Sequence, residues 1–257
     1  MDNIPYILDE TNDFAVIYKP PKMHCVPVTK KNEQLAMNNV KGEINTVLEW
    51  FTGNSASVCD LMHRLDYETH GLVLAAKNKK SFVFFKSLQD KGGFIKEYSA
   101  KVTRNEKLGL KDFSGNEKLT GFPPCPIIAS ISPSAEKPLI IMSYFRPYGN
   151  GRKQVRPVID INKNFKEIAK DKGGFYRTEI INIKGDIFTA RIKRGFRHQI
   201  RCHLCWAGCP ILNDPLYFSG EAPSGGQFAD TLALRAHALF FTDPASGKQR
   251  EYYISQI

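Results

Sequence analysis

The chain has 257 residues, of which 42% are hydrophobic, and this is enough to bury a core in one or two domains. Its formal net charge of +10 favours a polyanionic partner such as nucleic acid or an anionic membrane surface, with a basic enzyme for a small substrate as the alternative. No apolar run approaches the roughly 20 residues of a membrane span. The polar, acidic N-terminus lacks the pattern of a secretory signal, so we expect a cytoplasmic protein without membrane association.

Apolar patterns and turn residues predict strands and helices along the N-terminal half. A β-branched and aromatic run is stopped by Pro20-Pro21, which indicates a strand followed by a turn. The alternation that begins at Ile95 predicts a strand with one buried face. The predicted elements are strands at 14–19, 71–77 and 95–102 and helices at 44–51 and 80–88.

The C-terminal half is predicted to consist mainly of strands joined by short turns. An irregular excursion at about 104–136 and a basic loop at about 146–156 come first, and Lys184-Gly185 then joins two strands into a hairpin. The predicted elements are strands at 138–145, 175–183, 186–193, 232–241 and 251–254 and a helix at 197–207. We therefore expect one α+β domain over residues 1–257, with a mixed, largely antiparallel central sheet flanked by helices and loops.

Asp66 is the first candidate for chemistry, in the segment HRLD just before a predicted buried strand. A carboxylate beside Arg64 and His63 is expected to stay ionised, because nearby positive charge favours its charged form. Such a group is able to act as a nucleophile or a base. Taken alone, however, an aspartate in a loop before a strand is more often a turn former or a helix cap.

A second concentration of charge is the segment RGFRHQIR at 194–201. It places three arginines and His198 at the N-terminal end of a predicted helix, where backbone N–H groups already favour anions. Arg197 and Arg201 are four residues apart and share one face of that helix. The segment either grips a phosphate or pairs with a carboxylate, or it is the solvated basic face of a surface helix.

Tyr98 is the third candidate and lies on the predicted strand at 95–102, on the face that also carries Ala100 and Val102. Its simplest interpretation is a core tyrosine whose hydroxyl reaches the rim of the core. A tyrosine ring is also a platform on which a nucleobase stacks. The strand by itself favours the core interpretation.

Three of the six cysteines, Cys202, Cys205 and Cys209, crowd into one segment with His203. Cysteine and histidine at short spacing are zinc ligands, but a structural zinc site brings a second ligand pair, and the sequence offers none. The spacing of three and four residues also puts the cysteines on one helix face. Buried structural cysteines, with no metal and no disulfide framework, are the favoured interpretation.

Together these features resemble the RluA family of RNA pseudouridine synthases. The segment at 63–77 is similar to the catalytic-aspartate motif of that family, H-R-L-D-x-x-T-S-G-L-L-x-x-A-K. The matching segments, in the order of the family, are the opening at 6–27 with VIYKPPKM at 16–23, HRLDYETHGLVLAAK at 63–77, KEYSAKV at 96–102, HQIRCHL at 198–204 with its continuation through Asp214 and Tyr217, and LALRAH at 232–237. Any one motif is weak, whereas the ordered set is specific.

The resemblance implies a role for each matching residue. Asp66 is the expected nucleophile, Tyr98 is expected to stack on the uracil and assist proton removal, and Arg201 is expected to hold Asp66 ionised and aimed. Arg64 is expected to fill the space left when the uridine leaves its stack. The substrate-binding residues implied by the motifs are His63, Arg64, His198 and Leu234.

The resemblance also implies an isomerase that needs no cofactor and no metal and acts as a monomer on RNA, with ribosomal RNA favoured over transfer RNA. A catalytically inactive RNA-binding protein on the same fold is the alternative. The small N-terminal RNA-binding domain of many relatives is expected to be missing, so RNA recognition is expected to rest on the excursion at 104–136 and the basic loop at 146–156. Departures from the family pattern at His70, Asn213, Arg235 and residues 194–197 affect the expected RNA contacts and no catalytic group.

Overall fold

The computed structural model describes residues 4–27, 46–55, 60–103, 122, 133–159, 174–217 and 231–257. The strands are β1 (Tyr6–Glu10), β2 (Phe14–Lys19), β3 (Asp60–Leu61), β4 (His70–Ala76), β5 (Ile95–Lys101), β6 (Leu139–Tyr148), β7 (Gln154–Val158), β8 (Tyr176–Lys184), β9 (Ile187–Ile192), β10 (Leu234–Thr242) and β11 (Gln249–Tyr253). The helices are α1 (Val47–Asn54), α2 (Lys79–Asp90) and α3 (Gln199–Trp206), with a short 3-10 turn at Asn150–Arg152. Within these residues, no helix has the length and apolar character needed to cross a membrane.

The chain divides into two compact units. The first comprises Met1–Phe94 and Arg235–Ser255, and the second comprises Ile95–Leu234 and the last two residues. Each unit contains paired strands, at least one helix and buried apolar side chains of its own. The expectation of a single domain over residues 1–257 stays a prediction.

In the first unit, β4 is the central strand and is buried along its whole length. β2 pairs with it antiparallel from Phe14↔Ala76 to Lys19↔Gly71, and β1 pairs antiparallel with β2. β10 runs parallel to β4, and β11 returns antiparallel along β10. Because β4 has strands on both sides, its nearly continuous apolar run is the pattern that such a buried strand requires.

Aromatic rings fill the core of the first unit. The ring of Phe14 lies edge to face against Phe241 at 5.2 Å and against Phe85 at 6.1 Å, measured between ring centroids. Phe85 comes from α2, whose start is fixed by a reciprocal cap: the Asn78 side chain accepts the N–H of Ser81, and the Ser81 side chain returns to the Asn78 backbone. This local signal explains why the helix begins where the sequence predicts it, within one residue.

Gly71 brings β4 and β10 unusually close together. Its φ is +124°, and a Cβ atom at this position would overlap the backbone of Ala236 on the neighbouring strand. Glycine is the residue that accepts both the conformation and the close approach. The chain that follows Asp66 therefore enters the sheet at Gly71, a position where any larger residue would clash with β10.

In the second unit, the described strand pairs are antiparallel and follow the order β5-β9-β8-β6-β7. All eight residues of α3 are buried, and the helix packs on β7 and β8. The core cluster beside it consists of Phe145, Val155, Tyr176, Cys202, Cys205 and Tyr217. With parallel pairing in the first unit and antiparallel pairing elsewhere, the predicted α+β class with a mixed, largely antiparallel sheet is confirmed.

The prediction of a basic loop at 146–156 is wrong. β6 and β7 form a hairpin there, in which Arg146 faces Arg156. Gly149 and Gly151 have φ values of +79° and +65°, which allow the chain to reverse. The sequence did not predict this pairing, because the segment is rich in charged residues and lacks the alternating apolar pattern that indicates a strand.

Two other predictions for the second unit concern the burial of β5 and the excursion at 104–136. β5 was predicted to be half-buried, but its side chains are buried on both faces. The buried Glu97 of β5 is accommodated by Arg191 of β9, which lies 2.7 Å away. The predicted excursion at 104–136 lies outside the described residues, except for Phe122 and residues 133–136.

His203 makes the stability of the second unit depend on pH. Its Nδ1 lies 2.8 Å from the Thr178 hydroxyl and its Nε2 lies 3.0 Å from the Ser143 hydroxyl, and burial lowers the pKa of His203 from 6.5 to about 3. Below pH 6.5 the unfolded chain binds a proton that the folded chain excludes. The free energy of unfolding is therefore expected to fall with pH by about 1.4 kcal/mol per pH unit for this residue.

Urea unfolding between about pH 7 and about pH 5 measures this slope. His203→Gln is expected to reduce the slope by about 1.4 kcal/mol per pH unit, which corresponds to one bound proton. Burial also lowers the pKa of His70 to about 3 and that of His237 to about 4, so these residues keep a residual slope of the same sign. A variant with the wild-type slope would exclude His203 as a source of the acid sensitivity.

Candidate active site

Asp66 lies in the turn that joins β3 to β4. The amide N–H of Thr69 donates to the carbonyl oxygen of Asp66 at 3.1 Å and closes the turn. Asp66 is partly exposed and Arg64 is exposed, whereas His63 faces inward, where its Nε2 accepts the N–H of Leu74 at 3.2 Å. The three predicted site residues of the first unit are therefore brought together on one turn.

Lys19, the last residue of β2, binds this turn through its side-chain amino group. The Nζ atom donates to the carbonyl oxygens of Thr69 at 2.6 Å, Tyr67 at 3.1 Å and Pro20 at 2.8 Å. Burial lowers the pKa of Lys19 to about 8, against the opposing influence of negative charge that includes Asp66. The amino group therefore fixes the backbone that follows Asp66 and places positive charge near its carboxylate.

Cys25 fixes the backbone that precedes Asp66. Its Sγ accepts the N–H of Leu65 at 3.2 Å and donates to the carbonyl oxygen of the same residue at 3.5 Å. Burial raises the pKa of the Cys25 thiol, which therefore stays protonated at neutral pH and able to donate. Asp66 is thus held on both sides by side chains from the segment that follows β2 and from β2 itself.

Replacing Lys19 with Met is expected to lower turnover more than RNA affinity. Methionine keeps much of the buried volume but removes the donor of three hydrogen bonds, each worth about 1 kcal/mol. Because small displacements of a reacting group are costly, we expect kcat of the reaction implied by the resemblance to fall about tenfold or more. Lys80→Met, at an exposed position of α2, is the matched control. If Lys19→Met turned over as fast as the control, the turn would have to be held by other contacts.

Arg201 of α3 is paired with Asp214 in the second unit. The Nε–Oδ2 and Nη2–Oδ1 distances are both 2.8 Å, and the two side chains are 1% and 0% exposed. Oδ1 also accepts the backbone N–H groups of Leu216 at 2.9 Å and Tyr217 at 3.1 Å. A buried bidentate pair of this kind fixes the plane of the guanidinium group and engages its Nε and Nη2 edge.

Asp214 is a site residue that sequence reasoning missed. The resemblance gave Asp66 as the carboxylate partner of Arg201, and that pairing stays a prediction. Asp214 is 13 residues from Arg201, beyond the end of α3, so no helical spacing connects them. The available signal was the family motif that continues after HQIRCHL, to which Asp214 and Tyr217 belong.

The other predicted site residues also lie in the second unit. Tyr98 is buried in β5, and Leu234 is buried at the start of β10. His198 precedes α3 with a left-handed φ of +56°, and its Nδ1 lies 3.3 Å from the hydroxyl of Tyr217. The expected approach of Tyr98 and Arg201 to Asp66 stays a prediction.

The cysteine cluster belongs to the core of the second unit. Cys202, Cys205 and Cys209 are buried and form no disulfide, and the Sγ of Cys202 donates to the carbonyl oxygen of Val155 at 3.5 Å. Both ring nitrogens of His203 face hydroxyl groups. In the part of the chain that the structure describes, no three His, Cys, Asp or Glu side chains are placed to hold a metal ion. These contacts favour the structural interpretation of the cluster.

The sequence matches the profile of a known protein family over most of its length. The family is described as RNA pseudouridylate synthase, and the match covers residues 13–206. The chain belongs to this family. The matched range includes Asp66, Tyr98 and Arg201, in agreement with the resemblance drawn from the motifs.

Several proteins of known sequence are similar to the chain. An uncharacterized protein of Caenorhabditis elegans is 28% identical over 225 residues, which cover 87% of this chain and 41% of that protein. An uncharacterized RNA pseudouridine synthase of Mycoplasma genitalium is 26% identical over 256 residues, which cover 96% of this chain and 65% of that protein. Ribosomal large subunit pseudouridine synthase C of Escherichia coli is 24% identical over 197 residues, which cover 75% of this chain and 51% of that protein. The chain spans about half the length of the curated relatives it matches.

Two solved human structures have a similar fold. Human RNA Pseudouridylate Synthase Domain Containing 1 gives a TM-score of 0.61 at 16% identity, with 99% of this chain and 84% of that chain covered. Human RNA Pseudouridylate Synthase Domain Containing 4 gives a TM-score of 0.52 at 19% identity, with 98% of this chain and 88% of that chain covered. The predicted pseudouridine-synthase-like fold is confirmed.

Proposed function

We propose that the protein is an RNA pseudouridine synthase, an isomerase that converts specific uridines of structured RNA to pseudouridine. The observation that carries the proposal is that the family match includes Asp66 on a turn held by Lys19 and Cys25. A fixed, partly exposed carboxylate suits a nucleophile. Ribosomal RNA is the favoured substrate and transfer RNA the second candidate, and the name of the Escherichia coli relative supports this order.

The reaction exchanges one bond between ribose and uracil for another. The bond from C1′ to N1 breaks, the base turns while it is held, and C1′ joins C5. One proton leaves C5 and N1 gains one, so atoms and charge balance without an oxidant, a reductant or a cofactor. The uridine must first leave its stack, at a cost of about a few kcal/mol.

Each predicted residue has a part in this reaction. Asp66 is the nucleophile, Tyr98 stacks on the uracil and helps the C5 proton to leave, and Arg201 holds the carboxylate of Asp66 ionised. The pair with Asp214 supports the role of Arg201, because it holds the guanidinium group in one orientation through Nε and Nη2. Arg64 fills the gap left in the RNA. The remaining substrate contacts are those of His63, His198 and Leu234.

The β6–β7 hairpin is the proposed contact for the RNA backbone. Arg146 and Arg156 face each other across it, and their guanidinium groups lie 5.2 Å and 4.4 Å from the ring centroid of Tyr148. Arg152 and Lys153 are exposed near its tip. Arg156 is buried between the rings of Phe122 and Tyr148, so the charges that a chain of phosphates would neutralise are the partly exposed Arg146 and the two residues at the tip. The hairpin therefore offers both charge and ring surface to an RNA.

Lys153→Gln is expected to weaken the binding of ribosomal RNA and to lower its dependence on salt. Loss of one phosphate contact should reduce the slope of log K against log salt concentration by about 0.7–1. Lys184→Gln, an exposed lysine at the β8–β9 turn, is the matched control and should leave the slope unchanged. Equal slopes for the two variants would remove the hairpin tip from the RNA contact.

The proposed function is tested by mapping pseudouridine in the RNA of cells with and without the gene for this chain. We expect one or more sites of ribosomal RNA to be lost and to be restored when the purified protein acts on RNA from the deletion cells. Sites lost in transfer RNA alone would transfer the assignment to that substrate. An unchanged map together with persistent RNA binding would favour the catalytically inactive RNA-binding protein.

A further inference from the structure

Tyr67 is an exposed aromatic residue directly after the proposed nucleophile. Its side chain is 42% exposed, and the ring of His24 lies against it with a centroid distance of 4.7 Å and an interplanar angle of 40°. His24 is itself exposed. A single exposed ring is ordinary at a protein surface, but two rings packed together beside the proposed nucleophile form a continuous aromatic surface.

Both rings are attached to backbone that is already fixed. The carbonyl oxygen of Tyr67 accepts a hydrogen bond from Lys19 Nζ at 3.1 Å. The carbonyl oxygen of His24 accepts the N–H of Val47, the first residue of α1, at 2.9 Å. A ligand that stacks on these rings therefore restricts side-chain freedom alone and does not have to order a loop.

Exposed basic side chains lie near the two rings, together with the carboxylates of Asp66 and Glu68 on either side of Tyr67. Lys22 and Arg64 are exposed on the two segments that carry the rings. Burial and the positive charge of Lys19 lower the pKa of His24, against an opposing influence of Glu68, so the ring is neutral at pH 7. Neutral rings bind a base by stacking, while basic side chains beside them attract the phosphates.

We propose that Tyr67 and His24 form a stacking site for an unpaired nucleobase that neighbours the target uridine. The inference rests on the proposed function, because removal of the uridine from its stack takes a stacking neighbour away from the adjoining base. Arg64 fills the vacated space in that proposal, and Tyr67, on the same turn, receives the adjoining base. The site would give the protein a contact with the RNA around the uridine that does not involve the uracil itself.

The test measures binding of a fluorescein-labelled oligoadenylate of about 12 nucleotides by fluorescence anisotropy, since adenines stack well and offer no uridine to modify. Tyr67→Ala is expected to raise the Kd about tenfold, whereas Tyr67→Phe should stay within about twofold of the wild type. The salt slope should be unchanged, because no charge is removed. His24→Ala should give a smaller loss than Tyr67→Ala.

Two controls separate stacking from other effects. Tyr253→Ala removes a tyrosine of β11 that is 54% exposed in the same unit and should bind like the wild type. An oligomer of equal length that lacks bases should bind Tyr67→Ala and wild type equally. The proposal is overturned if the wild type does not bind oligoadenylate at low salt, if Tyr67→Ala binds it as the wild type does, if Tyr67→Phe loses as much as Tyr67→Ala, or if the loss is the same on the oligomer without bases.

Failure of this site and failure of the proposed function give different results. If the wild type forms no pseudouridine but Tyr67→Ala loses oligoadenylate affinity, the enzyme assignment falls and the nucleobase site stands. If the wild type modifies RNA and Tyr67→Ala matches it in KM and in oligoadenylate binding, only the nucleobase site falls. In an active enzyme, Tyr67→Ala is expected to raise KM about tenfold with little change in kcat.

Discussion

Asp66→Asn is expected to reduce pseudouridine formation at least about a thousandfold while leaving RNA affinity within about twofold of the wild type. Asparagine has nearly the shape of aspartate, and the substitution leaves the backbone carbonyl groups of residues 66, 67 and 69 that fix the turn, so the turn should persist. The amide, however, is a very poor nucleophile at neutral pH. Release of tritium from RNA labelled at C5 of uridine measures the reaction, and filter binding measures the affinity.

Asp60→Asn is the matched control for this experiment. Asp60 lies on β3 in the same unit, and its Oδ1 accepts the N–H of Leu61 at 2.7 Å, a contact that an asparagine oxygen retains. We expect this variant to have wild-type activity. Residual activity of Asp66→Asn above about a tenth of the control would exclude Asp66 as the nucleophile, because loss of a covalent catalyst costs far more.

Asp214→Ala is expected to lower the free energy of unfolding by about 3–5 kcal/mol, because it takes the carboxylate away from a buried guanidinium group. Two backbone N–H groups lose their acceptor as well. Urea unfolding measures the loss. Glu179→Ala is the matched control, since its partner Arg177 is 46% exposed and such a surface pair contributes less than about 1 kcal/mol.

The double variant Arg201→Met/Asp214→Leu separates stability from catalysis. Removal of both charges avoids a buried charge without its partner, so the double variant is expected to be more stable than Asp214→Ala. Its pseudouridine formation should nevertheless stay as low as that of Arg201→Met alone, if Arg201 acts on the carboxylate of Asp66. Recovery of activity together with stability would make Arg201 a purely structural residue.

Elements with strong local signals could be predicted from the sequence. The strand expected at 71–77 is β4 at His70–Ala76, and the helix expected at 80–88 is α2 at Lys79–Asp90. A continuous apolar run identifies the first, and apolar spacing between Asn78 and Gly92 identifies the second. In both, the information lies within a few residues of the element itself.

The elements that were missed depend on distant partners. β1 is short and at most partly buried, and it is a strand because β2 lies beside it. The β6–β7 hairpin is rich in arginine, and its pairing is compatible with that charge because two guanidinium groups lie over the ring of Tyr148. Neither arrangement leaves a periodic apolar pattern for sequence reasoning to find.

The candidate site divides in the same way. The motifs predicted Asp66, Tyr98 and Arg201 as candidates for chemistry, but they did not predict the contacts that hold Asp66 and Arg201. Lys19 is 48 and 50 residues from the carbonyl groups of the turn that it binds, and the Cys25 thiol is 40 residues from Leu65. A buried lysine at the end of an apolar strand fits no local rule, because burying its charge is favourable only when the folded chain supplies the acceptors.

The amino group of Lys19 also has a consequence for protein engineering. The turn that carries Asp66 is ordered by a strand that precedes it by about fifty residues, and the family match, which begins at residue 13, includes that strand. A fragment that starts after β2 would keep the HRLD motif but lose the Lys19 amino group that binds the turn. The smallest portable version of this turn is therefore the turn together with β2 and the segment after it that carries Cys25, two pieces of chain that become neighbours only when the protein folds.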